Sequence, residues 1–350
     1  MLPQLNRREF VKGTALSAIG VGMGTMSGST AQKSVDQESV RIARKQSTPV
    51  QSRVALVKGN DRRKNMLKAL EMIEPNIRQS IGTKQVVIKP NFTRVKREDW
   101  LASTHVDSVS ALCEMLSSFY NGKIIIAEGT GPGTPLEEAL ISYEYLPLRD
   151  RYNVEFFDLG KDDYLTTYII NKEFHHIELR TSKLLLDPNS YIISAACLKT
   201  HSLAVVTLGL KNIVMAAPMN FGPGKNDRAN MHNNIFDDPR PFNYNLFRMA
   251  CHVVPDLVTI DGFIGMEGDG PLSGGPVESN LAIASTDWLA ADRIGTEVMG
   301  FDFRKVGYLR QCAEAQMGVA DITKIELPGD PISSCYKKYA PPPTMEKIVI

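Results

Sequence analysis

Cysteine is scarce and badly placed for chemistry. Cys113, Cys197, Cys251, Cys312 and Cys335 are the only five in 350 residues, no two form a Cys-x-x-Cys pair, and the odd number leaves a thiol over. That spacing argues against a zinc ribbon, a disulfide framework and a ferredoxin-type loop, so no iron–sulfur cluster is expected. The thiols read as small buried hydrophobes. Net charge is lacking too: 40 Lys and Arg against 39 Asp and Glu leave +1. No global field exists to gather nucleic acid or acidic lipid, and any binding specificity must be local. No internal repeat stands out, and no apolar run is long enough for a bilayer span in a mature chain. What is present, 43% hydrophobic and 23% charged residues, is ample for a large packed core.

The chain opens on an address. Asn6-Arg7-Arg8-Glu9-Phe10-Val11-Lys12 is a twin-arginine pattern followed by the short, weakly apolar GTALSAIGVGMGTM. Residues 1–30 therefore read as a signal region for the twin-arginine (Tat) export machinery, with a periplasmic or exported destination. Residues 31–51 are polar and aperiodic, a flexible lead-in.

From Ser52 the pattern changes to strand and helix in turn. SRVALVKG, KQVVIKPN, GKIIIAEGT, VEFFDLG, SYIISAACLKTH, PDLVTIDG and ESNLAIAS read as strands. NMLKALEMIEPNIRQSI, VDSVSALCEMLSSFY, TPLEEALISY and TDWLAADRIGTEVMG carry helical spacing between them. TTYIINKEFHHIELR alternates like a hairpin. The expectation is an α/β domain over residues 52–327, a mostly parallel sheet flanked by helices with a small antiparallel excursion. The last three core strands are expected to run parallel, and residues 328–350 read as a proline-containing tail.

Ligands of open parallel sheets bind beyond the carboxyl ends of the strands. Here those ends carry the chemistry: Lys89-Pro90-Asn91, Glu128-Gly129, Lys199-Thr200-His201 and Asp261-Gly262 each follow an apolar strand. Lys89, Lys199 and Lys211, with Asn91 and Asn212, are candidates for an anionic group; lysines snorkelling at a sheet rim are the alternative. Gly129 lies in EGTGPGT, a strand-to-helix turn that matches neither GxGxxG nor GxxxxGK[ST]. Glu267 and Asp269 lie in the glycine-rich DGFIGMEGDGPLSGG, whose carboxylates suit a divalent metal ion or the orientation of lysines. His105, His201 and His232 are candidate metal ligands or acid–base groups, and Asp292, on an apolar helix, a candidate for a buried partner or a metal.

In that order, KPN at 89–91, KTH at 199–201, GLKN at 209–212 and MEGDGP at 266–271, followed by the Asp292 helix, resemble the domain of unknown function 362. The resemblance implies a shared site and names no reaction. Many members of that family carry a ferredoxin-type cysteine cluster, which this sequence lacks.

Two readings follow. One is an exported enzyme acting on a small anionic or phosphate-bearing ligand, with His201, Lys199, Glu267 and Asp269 catalytic, Lys89, Asn91, Glu128, Gly129, Lys211, Asn212 and Asp261 binding, and a divalent ion held by His105, His232 and Asp292. The other is a periplasmic ligand- or metal-binding protein without turnover, expected as two lobes about a hinge.

Overall fold

Strands that are apolar on both faces need helices above and below them, and three layers result. A computed structural model describes residues 50–348 except 94–96, 130–134, 172, 221–225 and 233–237. The twin-arginine segment, and the lead-in up to residue 49, lie outside the described residues.

Ten strands need naming besides the short pair β1 (Ser52–Arg53) and β12 (Ile325–Glu326). These are β2 (Ala55–Lys58), β3 (Gln85–Lys89), β4 (Ile124–Glu128), β5 (Val154–Asp158), β6 (Tyr164–Ile170), β7 (His176–Ser182), β8 (Ser190–His201), β9 (Val205–Thr207), β10 (Leu257–Glu267) and β11 (Gly275–Ser285). The main sheet runs β2-β11-β10-β8-β3-β4-β5, with β9 folding back on β8. Its centre, β10-β8-β3-β4-β5, is parallel throughout. The hairpin β6-β7 forms the separate antiparallel pair.

One expectation is corrected. The strand at ESNLAIAS, β11, runs antiparallel to both β10 and β2. Its link from β10 is residues 268–274, too short for the crossover that a parallel neighbour requires, so a hairpin is the available geometry.

On one face of the sheet, Tyr191, Ile193 and Ala195 of β8 pack with Met66, Leu70, Ile77, Leu112 and Leu116, which lie on the helices Arg62–Glu71, Glu74–Ile81 and Val106–Ser117. On the other, Ile192, Ala196 and Leu198 pack with Leu210, Ile213, Leu246, Leu289 and Ile294 from the helices Gly209–Val214, Arg240–Ala250 and Trp288–Val298. This alternation leaves every residue of β8 buried. Side chains at its carboxyl end therefore have no route to bulk water and must be satisfied inside.

Beyond residue 328 the chain packs back on the domain. Cys335 and Tyr339 are buried. Lys337 and Tyr339 donate backbone N–H groups to Val298 and Met299, while the Ala340 carbonyl accepts from Gly268. Among the described residues no helix is long and apolar enough to cross a membrane.

Candidate functional site

The helix Gly209–Val214 sets the site. It begins where Gly209 passes so close to β10 that a Cβ there would lie 2.5 Å from Val258, which only glycine permits. Its first two amides, Gly209 and Leu210, donate to the carboxylate of Asp292 at 2.7 and 3.0 Å. A buried carboxylate thus caps the helix from the neighbouring helix Trp288–Val298. Burial raises the Asp292 pKa to about 7, while the two amide bonds pull it down.

The capped helix aims Lys211 and Asn212 at the ends of β3 and β8. Asn212 donates to the Lys89 carbonyl at 3.1 Å and to Ser194 Oγ at 3.0 Å, which frees its Oδ1 to accept from Lys89 Nζ at 2.7 Å and Asn91 Nδ2 at 3.0 Å. Lys89 also pairs with Glu128 at 3.0 Å, and Glu128 accepts from the amides of Phe92 and Gly129, both at 2.9 Å. Lys199, on β8, donates to the Ala102 carbonyl at 2.7 Å, Thr93 Oγ1 at 3.0 Å and Asn91 Oδ1 at 3.2 Å. Asn91 is held in turn by Thr104, whose Oγ1 accepts its amide at 2.8 Å. Six predicted residues, Lys89, Asn91, Glu128, Gly129, Lys199 and Asn212, therefore share one network. Arg228 joins them: its guanidinium lies against Gly129, where a Cβ would be 2.9 Å from Nη2, and its buried Nε has no partner among the described residues.

Charge in this network is unbalanced. Among the described residues Lys89, Lys199 and Arg228 stand around one carboxylate, Glu128, and Lys211 lies within electrostatic reach of Lys89 and Lys199. Burial lowers the Lys89 pKa against the pull of Glu128. It brings Lys199 down to about 8 and Lys211 well below an ordinary lysine, with Lys199 and Lys89 adding to the effect on Lys211.

An aromatic subsite adjoins the network. Phe242 stacks with His201, centroids 5.9 Å apart, and with His232 at 5.0 Å, and Lys211 Nζ lies 5.4 Å from the same ring. Burial drives His201 well below its ordinary pKa and His232 to about 4, with Lys211 the next cause for each, so both imidazoles are neutral near pH 7. Their backbone partners assign complementary tautomers. Nδ1 of His201 accepts from the Leu203 amide at 3.0 Å, which leaves its Nε2 protonated. Nδ1 of His232 faces the Arg228 carbonyl at 3.2 Å and must donate, which leaves Nε2 as an acceptor.

The remaining predicted residues lie apart from this network. Asp261 is not at a strand end, because β10 continues to Glu267; its carboxylate accepts from Ser108 Oγ at 2.7 Å and pairs with Arg62 at 3.2 Å. His105 caps the helix Val106–Ser117 by accepting from the Asp107 amide, and burial with nearby Arg62 lowers its pKa. Glu267 accepts from the Ala340 amide at 2.7 Å and so ties down the C-terminal segment; Asp269 is exposed. The sequence expects both acidic residues to turn inward; instead Asp269 is exposed and Glu267 is spent on Ala340, although the hairpin backbone around them lies beside Lys199 and Thr200. The proposed metal set of His105, His232 and Asp292 is dispersed over a helix cap, the Phe242 subsite and a second helix cap. Among the described residues no group of three His, Cys, Asp or Glu side chains is placed to hold a metal ion. A surface concavity of about 720 Å³ lies elsewhere, lined by Arg293, Glu297, Phe301, Arg304, Asp321 and Tyr336. Arg293 and Arg304 there are paired with Glu297 and Asp302, so charge imbalance rather than open volume marks the site.

Residues 86–297 match the family described as Domain of unknown function (DUF362). A thylakoid-associated protein of Synechocystis sp. is 29% identical over 220 residues, 62% of this chain and 64% of the relative, so the chain spans under two thirds of that relative's length. A crystal structure of a Thermotoga maritima protein is 12% identical, covers 73% of this chain and 58% of its own, and superposes with a TM-score of 0.38.

Proposed function

We propose, from the premise that the chain belongs to the DUF362 family, that its buried lysine network binds a small anionic ligand, a carboxylate or phosphate, and that the protein is an exported enzyme. The observation that carries this is the excess of cations over carboxylates in a dry site. An uncompensated buried charge costs several kcal/mol, and a bound anion removes that penalty. Preorganisation supports the reading: Asn212, Asn91 and Glu128 hold Lys89 and Lys199 in fixed directions before any ligand arrives.

Turnover is favoured over simple carriage by two features. The described residues are built about one main sheet, not two lobes across a hinge. A proton donor and a proton acceptor, His201 and His232, both stack on Phe242, a combination that a carrier of simple anions does not need.

Thermal shift in inorganic phosphate, against chloride at equal ionic strength, tests the binding reading. Ligand at about 100 times its Kd stabilises by about 2.7 kcal/mol, which moves Tm by several degrees. Equal Tm in phosphate, small carboxylates and chloride refutes it.

A further inference from the structure

Lys211 is the one cation of the network that the anion reading leaves without a role. Lys199 donates three hydrogen bonds and Lys89 has Glu128 and Asn212. Among the described residues Lys211 has neither a hydrogen-bond acceptor nor a carboxylate; its contact is the face of Phe242. It is 5% exposed. Burial, with two neighbouring lysines, moves its titration toward the neutral amine. A neutral amine in a desolvated pocket beside other cations is the usual form of a nucleophilic lysine.

Resting on the anion-binding reading, we propose that Lys211 attacks the carbonyl carbon of a small oxo acid and forms an imine, while Lys89 and Arg228 hold the carboxylate of that substrate and Lys199, its three N–H groups committed, adds its charge. The amine lone pair forms the C–N bond as the carbonyl π pair moves to oxygen. The nitrogen then loses a proton to Nε2 of His232, the neutral acceptor, and the oxygen gains one from Nε2–H of His201, the donor, which gives a carbinolamine. Proton transfer back from His232 to the hydroxyl expels it as water while the nitrogen lone pair closes the C=N bond, and the last nitrogen proton returns to His201. Amine plus oxo acid gives imine plus water, and no oxidant or reductant is consumed. The complementary tautomers give each imidazole a separate part, and both imidazoles and the amine meet the ring of Phe242.

The test is reductive trapping on the full chain. Protein is incubated with pyruvate or glyoxylate and sodium cyanoborohydride near pH 7, then read by intact mass and peptide mapping. The expected result is a single reduced adduct on Lys211, suppressed by inorganic phosphate, and at least tenfold less abundant in Lys211→Arg. That variant keeps a long stem but replaces the amine with a permanently charged, non-nucleophilic guanidinium, and the phosphate competition on the native chain needs no variant. Adducts scattered over surface lysines, adducts unaffected by Lys211→Arg, or no adduct with either oxo acid overturn the proposal. Thermal stabilisation by phosphate and pyruvate without an adduct removes the imine step and leaves the anion site standing; absence of both stabilisation and adduct removes the anion site as well.

Discussion

Glu128→Gln separates a lysine-orienting carboxylate from a ligand-binding one. Glu128 is 2% exposed, pairs with Lys89 at 3.0 Å and accepts two backbone amides. A glutamine offers one acceptor oxygen, and its NH₂ would confront the second amide, so the substitution leaves Lys89 unpaired and an N–H unsatisfied. Removing one partner of a buried pair costs about 3–5 kcal/mol. At about 2 °C per kcal/mol for a chain of this size, Tm falls by roughly 6–10 °C. Anion affinity moves the other way. A carboxylate about 6 Å from a bound anion repels it by roughly 3 kcal/mol at an effective dielectric constant of 20. Lys89 loses part of its charge when unpaired, so about tenfold tighter phosphate binding is the expected minimum. Calorimetric unfolding and phosphate titration of the same preparation read both quantities. A variant that is less stable and also binds phosphate more weakly refutes the reasoning, because Glu128 would then contribute directly to the ligand.

Three further outcomes follow from the same geometry. Asp292→Asn replaces one of the two acceptors that cap Gly209 and Leu210, and should cost about 1–3 kcal/mol by denaturant unfolding, with a further loss of phosphate affinity because Asn212, which orients Lys89, rides on that helix; unchanged stability and affinity would remove the cap from the account. His252 is held neutral by burial, its pKa lowered to about 4, so between pH 4 and 6.5 the unfolded chain binds more protons and stability falls as pH falls. His252→Gln should flatten that part of the stability-against-pH curve relative to the native chain, and an identical slope would contradict it. Replacing Arg7 and Arg8 by lysine should strand the protein in the cytoplasm on cell fractionation, and undiminished export would refute twin-arginine routing.

Much of the network was legible because strand ends obey a simple rule. Lys89, Glu128 and Lys199 terminate or extend apolar strands of one parallel sheet, and the rule sends such residues to a common edge. Asp261 fails the same test for a local reason: the strand does not stop there, and β10 runs on to Glu267 as half of a hairpin whose backbone lies beside Lys199 and Thr200 while its carboxylates are spent elsewhere or exposed. Asp292 could be read as a buried partner but not as a cap, since its two amides lie more than eighty residues earlier in the chain. Phe242 and Arg228 gave no signal at all. An aromatic residue near the start of an amphipathic helix and an arginine in a polar stretch are ordinary in sequence, and only the third dimension sets them beside Lys211 and Gly129.

The central claim is that an anion belongs among the buried lysines. Isothermal titration of the native chain and of Lys199→Met with inorganic phosphate, at fixed ionic strength, tests it most directly. The account predicts saturable binding at one site per native chain and its loss in a variant that remains folded. Equal binding by both proteins, or none by either, would contradict it.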